Sequence, residues 1–294
     1  MSEYVIGVDI GGTKIAAHSC DRNFKTLDEI SIPCPATEGG DVIMGVVIDS
    51  CQQLQEKKAG KLQAIGVGTA GQVDADAGTV IDANQNITDW IGTPIAQILH
   101  DVFAVPVLVD NDVRVMALAE ATIGAGKEYQ HLLCITVGTG IGGAIILNSQ
   151  LWHGAHFSAG EIGYLYAGEN LTLEEVASGI AMEEDYDFHR KYNLQEIAKR
   201  ANEGEHKARQ TLRDGSTRLA EVLAPILVFL DPQALIIGGG VPQAGKWWWK
   251  YFLKTLESYP LNSVQQMDIL PAQLGNRAGM IGASILAWQG VDDS

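Results

Sequence analysis

The chain has 294 residues, a net charge of −16 and a hydrophobic fraction of 46%. This length and hydrophobic content suffice for two folded lobes and exclude a largely disordered chain. The acidic balance argues against binding nucleic acid through its phosphates, since that mode of binding requires a basic surface.

Cysteine usage and the first residues indicate the compartment. Cys20, Cys34, Cys51 and Cys134 show no Cys-x-x-Cys spacing, which is typical of reduced thiols in a cytoplasmic protein. The N-terminal residues lack the pattern of a secretory signal, and no apolar run approaches the roughly 18–20 residues that span a bilayer. We therefore expect a soluble, cytoplasmic protein.

The predicted elements alternate between strands and helices. In chain order the sequence predicts strands at 4–18 and 23–32, a helix at 40–56, a strand at 62–67, helices at 94–103 and 113–123 with a short strand at 107–109 between them, a hairpin at 132–146, a polar stretch at 150–164 followed mainly by helices, a strand at 235–237 and a helix at 278–286. This alternation predicts an α/β fold.

Two apolar hairpins with glycine-rich turns are the most informative segments. They cover residues 5–17, with Asp9 near the end of the first strand, and residues 132–146. Consecutive backbone N–H groups in such turns can form an anion-binding nest. A single copy would favour an ordinary glycine turn. Two copies, together with Asp9 and Gly238-Gly239-Gly240, favour phosphate binding by a duplicated unit.

Two familiar phosphate motifs do not fit these segments. Residues 66–71 and 138–143 match Gly-x-Gly-x-x-Gly, but a dinucleotide site requires a helix after the glycines, and residues 144–147 have strand character. Residues 12–14 read Gly-Thr-Lys, not the Gly-Lys-Thr of a P-loop. Neither motif is therefore assigned.

An acidic loop follows the buried strand at 107–109. Asp110, Asn111 and Asp112 lie where the ligand edge of an open sheet is expected, and one of the acids could accept a proton from a hydroxyl group. Asn111 or Asp112 could equally cap the next helix. Both interpretations stay open at this point, and one loop can serve both roles.

These segments resemble the ROK family, the repressor, open-reading-frame and kinase group that includes hexose kinases. The likeness extends over nearly the whole chain. It rests on Asp9–Lys14, Asn86, Asn111-Asp112, Thr136–Gly143, Gly154–Gly163, Glu174 and Gly238–Gly240.

The resemblance implies a fold and its division. It implies a two-lobed actin/hexokinase-like fold, a duplicated ribonuclease-H-like α/β architecture with an interlobe cleft. Residues 1–115 would form a small lobe, on which a C-terminal helix at about 280–294 packs. Residues 116–279 would form a large lobe.

The resemblance also implies which residues bind substrate and cofactor. Asp112 would be the general base, and Asp9 would hold Mg²⁺ through water. The sugar would be bound by Gly71, Asn86, Asn111, Asp112, Glu161, Tyr164 and Glu174. ATP would be bound by Asp9, Gly11, Gly12, Thr13, Lys14, Thr136, Gly138, Thr139, Gly140, Gly239 and Gly240.

One region departs from the family pattern. Tyr164 stands where members usually have a histidine after Glu-Ile-Gly, and the usual cysteine-rich loop is missing before Glu174. Tyrosine is a poor zinc ligand, so we expect no structural zinc. Some members that act on β-glucosides similarly have tyrosine there.

The resemblance implies that the protein is an ATP-dependent hexose kinase that phosphorylates the 6-hydroxyl of a sugar. Glucose is the first expected substrate, and a homodimer is the expected assembly. N-acetylmannosamine, a β-glucoside or fructose are alternative substrates. A sugar-responsive repressor would need a DNA-binding module before residue 5, and we expect none. A non-catalytic sugar-binding protein is the alternative from another class, and it would not need Asp112 or two phosphate turns.

Overall fold

The computed structural model describes residues 3–57, 60–83, 87–168 and 170–293. The chain divides into two compact units. The first comprises the residues up to Gly124, the segment His153–Ala159 and the residues from Asn276 onward. The second comprises Ala125–Trp152 and Gly160–Gly275.

The first unit contains seven strands and four helices within the described residues. In chain order they are β1 (Glu3–Ile10), β2 (Lys14–Cys20), β3 (Thr26–Pro33), α1 (Gly40–Glu56), β4 (Lys61–Thr69), β5 (Gln72–Asp74), β6 (Thr79–Asp82), α2 (Ile95–Phe103), β7 (Val107–Asn111), α3 (Asp112–Ile123) and α10 (Ala278–Asp292).

The second unit is richer in helices. Its described elements are β8 (Leu132–Val137), β9 (Ile141–Leu147), β10 (Gln150–Leu151), α4 (Leu173–Ala177), α5 (Gly179–Tyr186), α6 (Leu194–Glu203), α7 (His206–Leu230), β11 (Ala234–Gly238), α8 (Lys246–Glu257), α9 (Asn262–Gln265) and β12 (Asp268–Pro271). Among the described residues, none of the helices combines the length and apolar character needed to cross a bilayer.

The two five-stranded sheets have the same topology. Their strand orders are β3-β2-β1-β4-β7 and β10-β9-β8-β11-β12. In each, three strands form an antiparallel meander and the last two run parallel to the first strand of the unit. The duplication predicted from the two glycine-turn hairpins is therefore present in the strand order.

The sheet of the first unit is covered on both faces. On one face Ile6, Val8 and Ile10 of β1 pack in a buried cluster with apolar residues of α1 and α2. On the other face Val5 packs with Ala287 and Trp288 of α10. This alternation follows the two-residue period of a strand.

Glycines bring helix α10 unusually close to this second face. A Cβ at Gly7 of β1 would collide with the Met280 carbonyl and Ser284, and a Cβ at Gly66 of β4 would collide with the Ala283 carbonyl. The backbone of α10 can lie this close to the sheet because these strand positions carry no side chain.

The sequence predicted the long elements better than the short ones. The third strand begins at Thr26 rather than at residue 23, the helix predicted at 278–286 extends to Asp292, and the helix predicted at 113–123 begins at Asp112. Strands β5, β6, β10 and β12 were missed because they have only two to four residues, too few for a two-residue period to be recognised.

A buried histidine ties α10 to strands β2 and β3. The His18 side chain is fully buried, and its Nε2 donates to the Met280 carbonyl oxygen at 3.0 Å. Its Nδ1 accepts a hydrogen bond from Thr26 Oγ1 at 2.9 Å, and Thr26 Oγ1 accepts one from Arg277 at 2.6 Å. Burial lowers the pKa of the His18 imidazole to about 4; the Met280 hydrogen bond opposes this shift and the Arg277 charge adds to it.

We expect His18 to make the fold acid-sensitive. Because the pKa of His18 is lower in the folded state than its usual value near 6.5, the unfolded chain binds a proton more readily between about pH 6.5 and 4. Folding free energy is therefore lost as the pH falls through this window, by up to about 3 kcal/mol. Relative to a His18→Gln variant, the wild-type protein should lose more thermal stability between pH 7 and pH 4.5. An exposed-site variant, His206→Gln, should follow the wild type. Parallel pH profiles for wild type and His18→Gln would contradict the prediction.

Candidate functional site

The carboxyl ends of three parallel strands lie level with one another in the first unit. In the β1–β4 ladder Ile10 pairs with Thr69, and in the β4–β7 ladder Thr69 pairs with Asn111. Three loops therefore begin at one edge of the sheet: the turn at residues 11–13, the loop that starts with Ala70 and Gly71, and the start of α3. Ligands bind at this edge in open α/β sheets.

The turn at Gly11, Gly12 and Thr13 has free backbone donors. Gly11 N–H donates to the Lys14 carbonyl at 3.0 Å, which closes the turn. Among the described residues, the N–H groups of Gly12 and Thr13 have no acceptor. Thr13 and Lys14 are exposed. The turn therefore offers two amides, a hydroxyl and an ammonium group to an anion.

Asp9 lies just before this turn and is largely buried. Burial raises the pKa of its carboxyl to about 6, and the positive charge of Lys14 limits the rise. The carboxylate lies over the start of α10, where a Cβ added to Gly279 would be 2.5 Å from Asp9 Oδ2. Asp9 is therefore a carboxylate with little access to water, next to a turn whose amides can bind an anion. This arrangement is suited to a hydrated cation that accompanies a phosphate group.

Asn111 and Asp112 form the junction between β7 and α3. Asn111 caps the helix, because its Oδ1 accepts hydrogen bonds from Val113 N–H at 2.9 Å and Arg114 N–H at 3.2 Å. Its Nδ2 donates to the carbonyl of Gly71 at 2.9 Å. Asp112 is the first residue of α3 and its Oδ1 accepts from Val113 N–H at 2.9 Å. Capping thus falls mainly to Asn111.

Gly71 requires glycine at its position. Its φ is +99°, and an added Cβ would lie 2.6 Å from the Asp82 carbonyl oxygen. Only glycine adopts this backbone conformation without strain. This turn directs the Gly71 carbonyl to the Asn111 amide, so the two predicted sugar residues are in contact.

A buried ion pair beneath this junction was not assigned a role from sequence. Asp110 and Arg114 are each 1% exposed, and Arg114 Nη1 lies 3.3 Å from Asp110 Oδ1. His153 Nε2 lies 2.6 Å from Asp110 Oδ2. Arg114 and Asp110 are four residues apart across a strand–helix junction, and His153 is distant in sequence. The only local signal was the acid at a strand end.

The second unit repeats the phosphate-type turn. Gly138 N–H donates to the Gly140 carbonyl at 2.9 Å, while among the described residues the N–H groups of Thr139 and Gly140 have no acceptor. Thr136 pairs with Gly238 across β8 and β11, so the loop after β11 begins beside this turn.

Two tight approaches hold this edge of the second unit together. Gly239 has φ of +93° and packs against the backbone of Val137. Gly179, the first residue of α5, donates its N–H to the Gly138 carbonyl at 2.7 Å. The N–H groups of Gly239 and Gly240 have no acceptor among the described residues. The predicted ATP residues of this unit therefore share one edge.

Glu174 contacts the turn rather than standing apart from it. Its Oε2 accepts a hydrogen bond from Ile141 N–H at 2.7 Å, and a Cβ at Gly140 would collide with this carboxylate. Glu174 therefore lies beside the predicted phosphate residues of the second unit, and the sugar contact that the resemblance implied stays a prediction.

The remaining predicted sugar residues are placed as follows. Glu161 immediately precedes a 3-10 turn at Ile162–Tyr164, and Tyr164 is 68% exposed. Both belong to the second unit, whereas Gly71, Asn111 and Asp112 belong to the first. Asn86 lies outside the described residues. Among the residues that the structure describes, no three or more His, Cys, Asp or Glu side chains form a metal-binding group.

Comparison with known proteins identifies the family. The family model described as the ROK family matches residues 5–290. The glucokinase of Halalkalibacterium halodurans is 31% identical, with 97% of this chain and 95% of that protein covered. The chain belongs to the ROK family. An N-acetyl-D-glucosamine kinase of Yersinia enterocolitica is 28% identical, with 95% of this chain and 98% of that protein covered.

A solved ROK structure confirms the fold. The crystal structure of a ROK family glucokinase from Streptomyces griseus in complex with glucose and AMPPNP aligns with a TM-score of 0.82 and 29% identity. The alignment covers 98% of this chain and 100% of the Streptomyces griseus chain. The predicted actin/hexokinase-like α/β fold is therefore confirmed.

We expect Asp9 to destabilise the folded protein at neutral pH. Its pKa is raised above its usual value near 3.8, so ionising it at pH 7 opposes folding by up to about 3 kcal/mol. An Asp9→Asn variant should therefore unfold at a higher temperature than wild type at pH 7. The difference should shrink toward pH 4, where the folded wild type carries a protonated Asp9.

The matched control is Asp49→Asn, which removes one charge from an exposed position of α1. It should leave the melting temperature unchanged within about 1 °C at both pH values. An Asp9→Asn variant that melts at or below the wild-type temperature at pH 7 would refute the expectation.

Proposed function

We propose that this chain is an ATP-dependent hexose kinase that transfers the γ-phosphoryl group to the 6-hydroxyl of a sugar, with glucose as its first substrate. One observation carries the proposal: within a single unit, Asp112 and the free-amide turn at residues 11–13 follow strands whose ends lie level. An acid that can accept a proton and a turn that can bind phosphate therefore share one sheet edge.

The proposed reaction assigns one proton transfer to this chain. Asp112 accepts the proton of the sugar hydroxyl as its oxygen forms a bond to the γ-phosphorus. The bond between the γ-phosphorus and the bridging oxygen breaks, and ADP leaves with that electron pair. Positioning and charge neutralisation dominate such reactions, and general-base assistance contributes about 10²–10⁴-fold.

Each unit contributes its own phosphate-binding groups. In the first, the amides of Gly12 and Thr13 and the Lys14 ammonium would bind phosphate oxygens, and Asp9 would hold Mg²⁺. In the second, the amides of Thr139, Gly140 and Gly240 bind the nucleotide. Bound Mg²⁺ would neutralise charge on the transferring phosphates.

The proposal also assigns the residues that bind the sugar and the sugar itself. Gly71, Asn111 and Glu161 bind the sugar, and Tyr164 lies where the anomeric end is recognised. The glucokinase relatives favour glucose, while the N-acetyl-D-glucosamine kinase relative keeps an N-acetyl sugar as the second candidate.

Four free cysteines support a reducing, cytoplasmic setting. A homodimer is the assembly proposed from the family resemblance alone.

An Asp112→Asn variant tests the general base. The amide cannot accept the proton, so kcat for sugar phosphorylation should fall by at least about 100-fold, with the melting temperature within a few degrees of wild type. Asp41→Asn is the matched control, because Asp41 is likewise an acid in the first turn of a helix. A variant that keeps more than about a tenth of wild-type kcat would exclude Asp112 as the base.

A sugar panel tests the substrate. With MgATP, kcat/KM for glucose should exceed that for N-acetylmannosamine, N-acetylglucosamine, fructose, mannose and cellobiose. If another sugar exceeds glucose by more than about tenfold, or roughly 1.4 kcal/mol, the assignment of glucose fails and the kinase assignment stands. Binding of a sugar without phosphorylation of any would favour the non-catalytic alternative.

A further inference from the structure

The segment His153–Ala159 belongs to the first unit, although its neighbours on both sides along the chain belong to the second. Residues 154–159 of this segment belong to the stretch 154–163 that resembles a sugar-binding signature, and a hydrogen bond from Ala159 N–H to the His153 carbonyl at 3.2 Å closes the segment. Specific contacts must therefore hold it on the first unit.

Two buried or partly buried contacts fix the segment. His153 Nε2 donates to Asp110 Oδ2 at 2.6 Å, and Arg114 donates to the Phe157 carbonyl oxygen. A third contact is exposed: Gln72 Nε2 donates to the His156 carbonyl at 2.8 Å and to Ser158 Oγ at 2.7 Å. Because exposed polar contacts exchange readily with water, the Asp110 and Arg114 contacts are the stronger constraints.

The same carboxylate also fixes the start of α3. Asp110 Oδ1 accepts from Asn111 N–H at 2.8 Å and from Arg114 Nη1 at 3.3 Å. One oxygen of Asp110 thus binds the junction that carries Asp112, and the other binds His153. The Asp110 side chain is 1% exposed, so water does not compete with these partners.

We propose that His153 is a positioning residue for the sugar: through Asp110 it locks the segment 153–159 to the junction that carries the general base. The proposal rests on the kinase function proposed above. His153 acts through Asp110 and takes no part in proton or phosphoryl transfer. It connects sugar recognition to the position of Asp112 through the buried Asp110 carboxylate, beside the second link that Arg114 makes to the Phe157 carbonyl.

Three variants separate this role from general damage. His153→Leu removes the N–H donor to Asp110 at similar size. His153→Gln retains an N–H donor and serves as the conservative rescue. His156→Leu is the matched control, because His156 is exposed in the same segment and its side chain makes no hydrogen bond with any described residue.

Hydrogen exchange of the free protein tests the contact itself. In His153→Leu the amide of Ala159, which donates to the His153 carbonyl, should exchange at least about tenfold faster than in wild type, because opening of the segment no longer breaks the Asp110 contact. His153→Gln should restore the rate to within about threefold, and His156→Leu should leave it unchanged. Equal exchange in wild type and His153→Leu would overturn the proposal.

Steady-state kinetics test the role. His153→Leu should raise KM for the sugar by at least about tenfold while KM for MgATP stays within about twofold, and His153→Gln should recover most of the loss. An unchanged KM for sugar, or an equal rise in both KM values, overturns the positioning role while wild-type activity upholds the kinase. Wild-type protein that phosphorylates no sugar refutes the proposed function, and the role assigned to His153 fails with it.

Discussion

The register of three parallel strands is the constraint on which the candidate site depends. Ile10, Thr69 and Asn111 lie level, so the glycine turn after β1, Gly71 after β4 and Asp112 after β7 share one edge. Ala70 N–H reinforces this alignment by donating to the Ile10 carbonyl at 3.1 Å. A shift of one residue in either ladder would move Asp112 about 3.3 Å relative to the turn at residues 11–13. It would also turn every side chain of the shifted strand to the opposite face of the sheet.

Close packing of α10 raises the pKa of the acid at this edge, Asp9. Gly7 and Gly66 allow the helix to approach the sheet, and Gly279 then lies against the Asp9 carboxylate. The approach removes water from Asp9, which is why its pKa rises to about 6. A more solvated acid at this position would oppose folding less at neutral pH. The destabilisation expected from ionised Asp9 is thus a consequence of the packing that buries it.

Sequence reasoning succeeded where the signal was local. The glycine-turn hairpins, the helix over Gly40–Glu56 and the Asn111-Asp112 junction are each defined by residues within about one element length. It failed where a contact joins distant segments. The bond from Glu174 to Ile141 and the contact between His153 and Asp110 depend on how loops return to the sheets, and no periodicity encodes that. The sugar contact of Glu174 is implied by the family resemblance and stays a prediction, whereas its bond to Ile141 had no local sign in the sequence.

The two five-stranded sheets share one strand order, but the side chains at matching positions differ in their chemistry. Asp9 and Thr136 occupy matching positions, each one residue before the end of the strand that opens its turn. The first unit therefore has a carboxylate where the second has a hydroxyl. The strand that matches β7 is β12, which ends in Leu270 and Pro271 and carries no acid at its last positions. Both units have a turn whose free amides can bind an anion, whereas at these positions carboxylates are found in the first unit alone. Because the turn is repeated and the acids are not, Asp9 and Asp112 are the residues that distinguish this sheet edge of the first unit from its counterpart in the second.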